Sequence, residues 1–234
     1  MSAPGALAIS PDRFQSNETM TDFATQRLNM VEAQVRANDV TDTRIHAAMR
    51  SVAREQFVPG AKRGIAYADA AIEVVRGRFL LDPRTFSKLL QLATLASTDS
   101  VLDVGCVTGY STAVLGQLGR VVIGLEQDAD LVRLAIDAIS GVENASIVQG
   151  ILAEGYPANA PYDVVFVNGA VEKVPDALLA QLAEGGRLVA VVRRDALNRA
   201  TLYMREHGRV GHRAAFDAAA PLLPGFREAV GFVF

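Results

Sequence analysis

The stretch "DVGCVTGYS", residues 103 to 111, has a spacing that suits a bound nucleotide cofactor. An apolar run typical of a buried strand precedes it, and a segment with helical spacing follows. Gly105 and Gly109 permit positive φ angles and let the backbone approach a ligand closely. Glu126 ends the next predicted strand, and a carboxylate there can accept both hydroxyls of a ribose. The pattern predicts a strand–turn–helix loop with a ribose acceptor on the neighbouring strand.

The glycine pattern separates the nucleotide classes. The dinucleotide pattern G-x-G-x-x-G requires glycine where Val107 and Tyr110 stand, and no Gly-Lys-Ser or Gly-Lys-Thr follows for a phosphate loop. The D-x-G-x-G-x-G spacing matches at Asp103, Gly105 and Gly109, and it is typical of S-adenosylmethionine-dependent methyltransferases. An ordinary tight turn followed by a surface glutamate is the alternative interpretation.

The elements around this loop alternate in type. Short apolar runs predict buried strands, and the amphipathic segments between them predict helices. Such alternation is typical of an α/β, doubly wound, mostly parallel sheet with helices on both faces. Near the end of the chain, "ATLYMREHG" and "EAVGFVF" predict two strands that close the sheet antiparallel. The predicted strands are 100–104, 121–125, 145–149, 162–168 and 186–193, and the predicted helices are 83–96, 110–118, 128–139 and 175–182.

The first part of the chain differs from this pattern. Residues 1–19 lack periodicity and contain Pro4, Gly5 and Pro11, so we expect a flexible N-terminal extension. Residues 20–234 are expected to form one methyltransferase-like domain. Within it, 20–82 is a helical, substrate-side part with a short strand at 72–75, and 83–234 contains the cofactor-type sheet.

Composition narrows the functional classes. The chain has 234 residues, half of them hydrophobic, and a formal net charge of −3, which gives no basic signal for nucleic acid. A single cysteine, Cys106, excludes an intramolecular disulfide and a cysteine-based zinc site. No apolar run is long enough for a bilayer, and no metal-ligand spacing is present. We expect a cytoplasmic monomer or homodimer without metal, membrane or nucleic-acid partner.

Several stretches occur in the order typical of one known family. They are "REQFVP", "AYADAAI", "VLDVGCVTGYSTAVLGQLG", "APYDVVFV" and "VPDALLAQLAEGGRLVAVV". Together they resemble the protein-L-isoaspartate O-methyltransferase family over nearly all of the chain after Met20. The resemblance implies a seven-stranded mixed sheet and an S-adenosylmethionine cofactor. It also implies a damaged protein or peptide as substrate, methylated on the α-carboxylate of an L-isoaspartyl residue.

The resemblance also implies the site residues. No side chain is assigned as catalytic, because an isoaspartyl carboxylate is already ionised at neutral pH and needs chiefly to be held in line with the methyl group. The substrate-side residues are Phe79, Leu80, Leu81, Asp82 and Asn168. The cofactor-side residues are Asp103, Gly105, Cys106, Val107, Gly109, Tyr110, Glu126, Gln127, Ile151 and Leu152.

Three departures from the family pattern fall in the predicted site. "GRFLLDP" places Leu81 where the family's Gly-x-Thr-Ile-Ser-x-Pro has a serine at the substrate carboxylate. Val107 replaces the middle glycine of the loop, and a β-branched residue is strained at positive φ. "GILAEG" places Ile151 where the family's Gly-Asp-Gly has the aspartate that accepts from the adenine amino group, and Glu154 is displaced along the loop. All three changes are toward apolar side chains, so we expect reduced or lost activity.

Three hypotheses stay open on the sequence alone. The first is an isoaspartyl methyltransferase with reduced activity. The second is a non-catalytic binding module with a methyltransferase fold, and the third is a methyltransferase for a more apolar substrate. Cofactor affinity separates the first two, and substrate identity separates the first from the third.

Overall fold

The structure of the chain is a computed structural model that describes residues 22–194 and 197–228. Helix α1, Phe23–Met30, continues into irregular helical turns to residue 38, and α2 covers Thr43–Ser51. A small antiparallel hairpin follows, formed by β1 (Ile72–Val75) and β2 (Arg78–Leu80). The predicted strand at 72–75 is therefore confirmed. The predicted extension, 1–19, lies outside the described residues.

The described residues that follow contain one seven-stranded sheet in the order β5-β4-β3-β6-β7-β8-β9. The strands β5, β4, β3, β6 and β7 are parallel, and β8 and β9 add to the edge antiparallel. The doubly wound, mostly parallel fold is thus confirmed. The strands are β3 Ser100–Val104, β4 Val121–Glu126, β5 Ala145–Gln149, β6 Tyr162–Val171, β7 Leu182–Arg194, β8 Leu197–Glu206 and β9 Arg209–Asp217.

Helices cover both faces of the sheet because both faces are apolar. In β3, Val101 belongs to one hydrophobic cluster and its neighbour Leu102 to the other, so successive side chains enter opposite cores. Local signals start two of the helices: the Asp82 and Asp128 side chains accept from backbone N–H groups of the first turn. The helices are α3 Pro83–Ala93, α4 Tyr110–Gly116, α5 Ala129–Ala138 and α6 Asp176–Ala180.

The two strands at the sheet edge differ in part from the prediction. β8 contains the predicted "ATLYMREHG" stretch as far as Glu206. The last strand among the described residues is β9, Arg209–Asp217, which the sequence pattern did not indicate because most of its side chains are exposed. Its pairing with β8 depends on main-chain hydrogen bonds rather than on an apolar face. Most of "EAVGFVF", residues 229–234, lies outside the described residues. In the described part of the chain, no helix combines the length and apolarity needed to cross a membrane.

Chain order reverses at the centre of the sheet. From β3 the chain adds β4 and then β5 on one side, and it crosses back to place β6 on the other side of β3. In sheets of this kind, ligands bind outside the carboxyl ends of the strands that flank the reversal. The carboxyl ends of β3, β4 and β6 are therefore the edge where a functional site is expected.

Candidate functional site at the carboxyl ends of the central strands

The loop after β3 and the end of β4 meet as the sequence predicts. The two strands pair in parallel with Val104 opposite Leu125, so Glu126 follows at the same edge. The loop is tied there because the N–H groups of Gly105 and Cys106 both donate to the carbonyl oxygen of Leu125, at 2.9 and 3.2 Å. Glu126 is fully buried, and the alternative interpretation as a surface glutamate is therefore wrong.

The two loop glycines have different tasks. Both have positive φ, +83° at Gly105 and +89° at Gly109. A Cβ at Gly109 would lie 2.8 Å from Cγ2 of Ile139, so this glycine lets α4 pack closely against the end of α5. A Cβ at Gly105 would instead lie 3.1 Å from Leu223 and 3.5 Å from Arg78. The space beside the first glycine is therefore filled by two side chains of the protein itself.

Val107 keeps the left-handed turn that a glycine would adopt freely. Its φ is +56°, its side chain is fully buried, and its N–H donates to Oε2 of Glu126 at 3.0 Å. A left-handed conformation at a residue with a Cβ costs roughly 1–2 kcal/mol. Burial of the isopropyl group and the hydrogen bond to Glu126 offset this cost, and the turn is retained.

The Glu126 carboxylate is engaged by Arg78. The Nη1 and Nη2 groups of Arg78 donate to Oε1 and Oε2 at 2.5 and 2.6 Å, and both side chains are buried. Backbone N–H groups of Val107, Gln127 and Asp128 add three further donors at 2.8 to 3.2 Å. A carboxylate has about four lone-pair sites, so these five donors occupy all of the accepting positions of Glu126.

A second polar cluster lies deeper at the same edge. Oδ2 of Asp103 accepts from the hydroxyls of Ser111 and Thr112 at 2.5 and 2.7 Å. Asn168, three residues before the end of β6, donates through Nδ2 to Oγ of Ser111 at 2.6 Å. Burial raises the pKa of Asp103 to about 7, and the charge of Glu126 adds to this rise. The structure thus connects a predicted cofactor residue with a predicted substrate residue.

Two acceptors of this cluster have no partner among the described residues. They are Oδ1 of Asp103 and Oδ1 of Asn168, both buried. A buried acceptor without a donor is costly, and such atoms often mark a place for a ligand group or water. Two acceptors at this point suit a cationic donor such as an ammonium group.

The other predicted cofactor residues fall into buried and exposed groups. Cys106 and Leu152 are fully buried, and burial raises the pKa of the Cys106 thiol well above its usual value, which keeps it protonated and unreactive. Tyr110 is also buried, with its ring against Phe57 and Phe86. The exposed residues are Gln127 and Ile151, the latter with 57% exposure, and Glu154, which was not among the predicted residues, is exposed as well.

The predicted substrate residues are largely committed to the protein interior. Leu80 and Leu81 are buried, and the carbonyl oxygen of Leu81 accepts from Nη2 of the buried Arg54 at 2.7 Å. The Asp82 carboxylate accepts from the N–H of Thr85 at 2.8 Å and so caps α3. Phe79 is half-buried in β2. Asp82 also borders an open surface cavity of about 530 Å³, which β8 and the segment after β9 line on the other side.

Arg78 and Leu223 also lie at this edge, and neither was among the predicted site residues. Leu223 lies between two glycines, since a Cβ at Gly169 would be 2.6 Å from its Cγ, and its N–H donates to the carbonyl oxygen of Ala170 at 2.9 Å. The signal for Arg78 was available: it is a lone charge at the start of the apolar run "RFLL". A charge in a buried strand requires a buried partner, and a carboxylate predicted at a strand end was a candidate.

The residues of this edge do not fit S-adenosylmethionine in the described arrangement. At the deep end, Oδ1 of Asp103 and Oδ1 of Asn168 are buried acceptors without a donor among the described residues. At the outer end, Glu126 has no acceptor left for a ribose, and Arg78 and Leu223 cover Gly105. The roles of the predicted site residues toward a cofactor and a substrate therefore stay predictions.

Comparison with protein families places this chain among known sequences. The family model described as Protein-L-isoaspartate(D-aspartate) O-methyltransferase matches residues 25–217. A protein-L-isoaspartate O-methyltransferase of Koribacter versatilis is 36% identical over 206 residues, which cover 87% of this chain and 90% of that protein. One of Methanoculleus marisnigri is 36% identical over 169 residues, or 71% of this chain and 77% of that protein.

Solved structures agree with the fold. A structure described as a protein-L-isoaspartate O-methyltransferase superposes with a TM-score of 0.76 at 23% identity, covering 85% of this chain and 66% of its own. A Plasmodium falciparum structure described as a protein-L-isoaspartate O-methyltransferase in complex with S-adenosyl-L-homocysteine gives a TM-score of 0.74 at 20% identity, over 84% of this chain and 97% of its own. At these identities the likeness concerns the fold.

Proposed function

Because this chain belongs to the protein-L-isoaspartate O-methyltransferase family, we propose that it transfers a methyl group from S-adenosylmethionine to the isoaspartyl carboxylate of a damaged protein, with reduced activity. The family uses S-adenosylmethionine, and the match extends over residues 25–217. The observation that carries the proposal is the placement of the Gly105 loop and Glu126 side by side at the carboxyl ends of β3 and β4. This is the edge at which doubly wound sheets bind nucleotides.

The reaction makes modest demands on side chains. An isoaspartyl carboxylate is ionised at neutral pH, so the protein needs no general base to create the nucleophile. It must exclude water and hold the carboxylate in line with the methyl group. Arg78 and Glu126 are paired where the ribose of the cofactor would bind.

Leu81 supports weak isoaspartyl activity in two ways. Leu81 replaces a hydroxyl donor with an apolar side chain, and an anion at that position would lose a hydrogen bond worth about 1.5–3 kcal/mol. Leu81 is itself buried, so its side chain belongs to the core rather than to an open apolar substrate pocket. This burial favours weak isoaspartyl activity over activity on a more apolar substrate.

A second candidate is a non-catalytic binding module. It is favoured by the complete engagement of the Glu126 carboxylate, since a protein that never binds the cofactor has to compensate this buried charge internally. For either candidate, we propose a protein or peptide partner, a monomer or homodimer, a cytoplasmic location and no nucleic-acid partner.

The test is transfer of labelled methyl from S-adenosylmethionine to an isoaspartyl peptide, with the base-labile ester counted. The same peptide with ordinary aspartate is the control substrate, and the Koribacter versatilis relative is assayed in parallel. We expect transfer that depends on isoaspartate and is at least about tenfold slower than the relative's, the factor for one lost hydrogen bond. Equal rates would contradict reduced activity, and no transfer above the aspartyl control would contradict the enzyme and favour the binding module.

A further inference from the structure

The pair formed by Arg78 and Glu126 suggests how the protein controls its own cofactor site. We propose that Arg78 is an intramolecular occupant of the nucleoside end of the site, where its guanidinium takes the position of the ribose hydroxyls on Glu126. Cofactor binds only after Arg78 has been displaced. This inference rests on the proposed function, because it takes the edge near Gly105 as the cofactor site.

The Arg78 guanidinium contacts Glu126 with the geometry expected of a ribose diol. A ribose diol would present two donors to the two oxygens of a carboxylate, and Arg78 presents two N–H groups to the same oxygens, at 2.5 and 2.6 Å. Glu126 has no exposed surface, so its charge needs a buried counter-charge when no ligand is bound. Arg78 supplies that charge from a residue 48 positions away in the sequence.

The guanidinium also fills the space that a nucleoside needs. Its Nη2 lies 3.5 Å from the position a Cβ would take on Gly105. Gly105 is the first glycine of the loop, where bare backbone is needed for close approach of a ligand. Arg78 and a ligand at this glycine therefore exclude each other.

Arg78 is attached to an element that is not part of the main sheet. It begins β2, in the two-stranded hairpin formed with β1, and it follows Gly77 at a φ of +77°. The turn residues Arg76 and Gly77 are exposed, and pairing in the hairpin is irregular between Glu73 and Val75. Nε of Arg78 is buried without a partner among the residues described, so the pair leaves one donor unsatisfied.

The experiment is calorimetric titration of S-adenosylhomocysteine into the full chain and its variants. Arg78→Ser removes both the guanidinium and its volume, and we expect affinity about tenfold or more above wild type. Arg78→Met removes the charge but keeps most of the volume, so we expect a smaller gain. Adding Glu126→Gln to Arg78→Ser should remove most of the gain, because an amide offers one acceptor where the diol needs two.

Arg76→Ala is the matched control, since it removes an exposed arginine from the same hairpin and should leave affinity unchanged. Circular dichroism and thermal unfolding check that each variant folds. If Arg78→Ser does not fold, NMR of the Arg78 guanidinium in the wild-type protein tests the same point. Saturating S-adenosylhomocysteine should free the Nη groups of Arg78 from their restricted rotation. Arg78 signals that are the same in the free and the bound protein would overturn the proposal.

The outcomes separate this inference from the proposed function. Wild type that transfers methyl to isoaspartate, with Arg78→Ser binding no tighter than wild type, would overturn the inference and leave the function in place. Arg78→Ser that binds S-adenosylhomocysteine tightly but transfers no methyl would support the inference and contradict the function.

Discussion

Asp103 is a carboxyl group enclosed in the protein where it cannot be solvated. Its pKa is raised from 3.8 to about 7, first by burial and also by the charge of Glu126, while the hydroxyls of Ser111 and Thr112 oppose the rise. In the unfolded chain the group loses its proton near pH 4, and in the folded protein it keeps the proton to about pH 7. Unfolding therefore releases a proton in this window, and its contribution makes stability fall as pH rises from about 4 to about 7.

Asp103→Asn should remove this pH dependence. The amide oxygen can still accept from Ser111 and Thr112, but the side chain no longer titrates. We expect the difference in unfolding free energy between Asp103→Asn and wild type to shift in favour of the variant as pH rises from 4.5 to 7.5. Urea unfolding at both pH values measures it. A difference that is the same at both would show that Asp103 is ionised throughout.

At the scale of elements, one arginine connects the end of α3 with β7. Nε of Arg187 donates to the carbonyl oxygen of Ala93 at 2.6 Å, and Nη2 donates to the carbonyl oxygen of Thr94 at 2.8 Å and to Oδ2 of Asp99 at 2.6 Å. Asp99 in turn accepts from the N–H of Ala96 at 2.7 Å. The side chain thus satisfies carbonyl groups at the helix end, which have no partner within the helix.

Arg187→Ala should lower the free energy of unfolding by roughly 2–4 kcal/mol, because it leaves the part-buried Asp99 without its counter-charge. Arg133→Ala is the control, since Arg133 and Asp130 form an exposed pair and should contribute less than about 1 kcal/mol. Urea unfolding of both variants at one pH gives the comparison. A loss in Arg187→Ala no larger than in Arg133→Ala would show that the connection between α3 and β7 is not stabilising.

At the scale of the whole molecule, the proposed activity depends on two parts of the site at once. Leu81 occupies the substrate side, and Arg78, on the strand that leads to it, occupies the nucleoside side. Leu81→Ser by itself should therefore not raise isoaspartyl methylation, because Glu126 stays paired with Arg78. Combined with Arg78→Ser it should raise the rate of labelled methyl transfer above that of either single variant.

The control for this prediction is Leu80→Ser, which makes the same change at the neighbouring buried residue. Both leucine variants should lose about 2–5 kcal/mol of unfolding free energy, the usual range for truncation of a buried leucine. If Leu81→Ser alone reached the rate of the double variant, the nucleoside end would not limit activity. If Arg78→Ser with Leu80→Ser were as active as Arg78→Ser with Leu81→Ser, position 81 would have no specific role.

The sequence alone determined the fold and the edge of the sheet where the candidate site lies. Alternation of apolar runs with amphipathic segments depends on local periodicity, so it predicted β3 and β5 with their observed bounds and the other parallel strands within a few residues. The positions of Gly105 and Glu126 at adjacent strand ends followed from the same order of elements. β9 escaped prediction because an exposed edge strand is held by main-chain hydrogen bonds, which leave little pattern in side-chain type.

The tertiary structure alone decided what fills the site. The pairing of Arg78 with Glu126 joins a hairpin to the central sheet across 48 residues, and no local pattern encodes which buried carboxylate a buried arginine will meet. Likewise, the spacing predicts Gly109 as a ligand residue, and only the fold shows that the nearby side chain of Ile139 also gives it a packing role. The spacing of residues places groups along the chain, whereas long-range packing determines which of them remain free to bind a ligand.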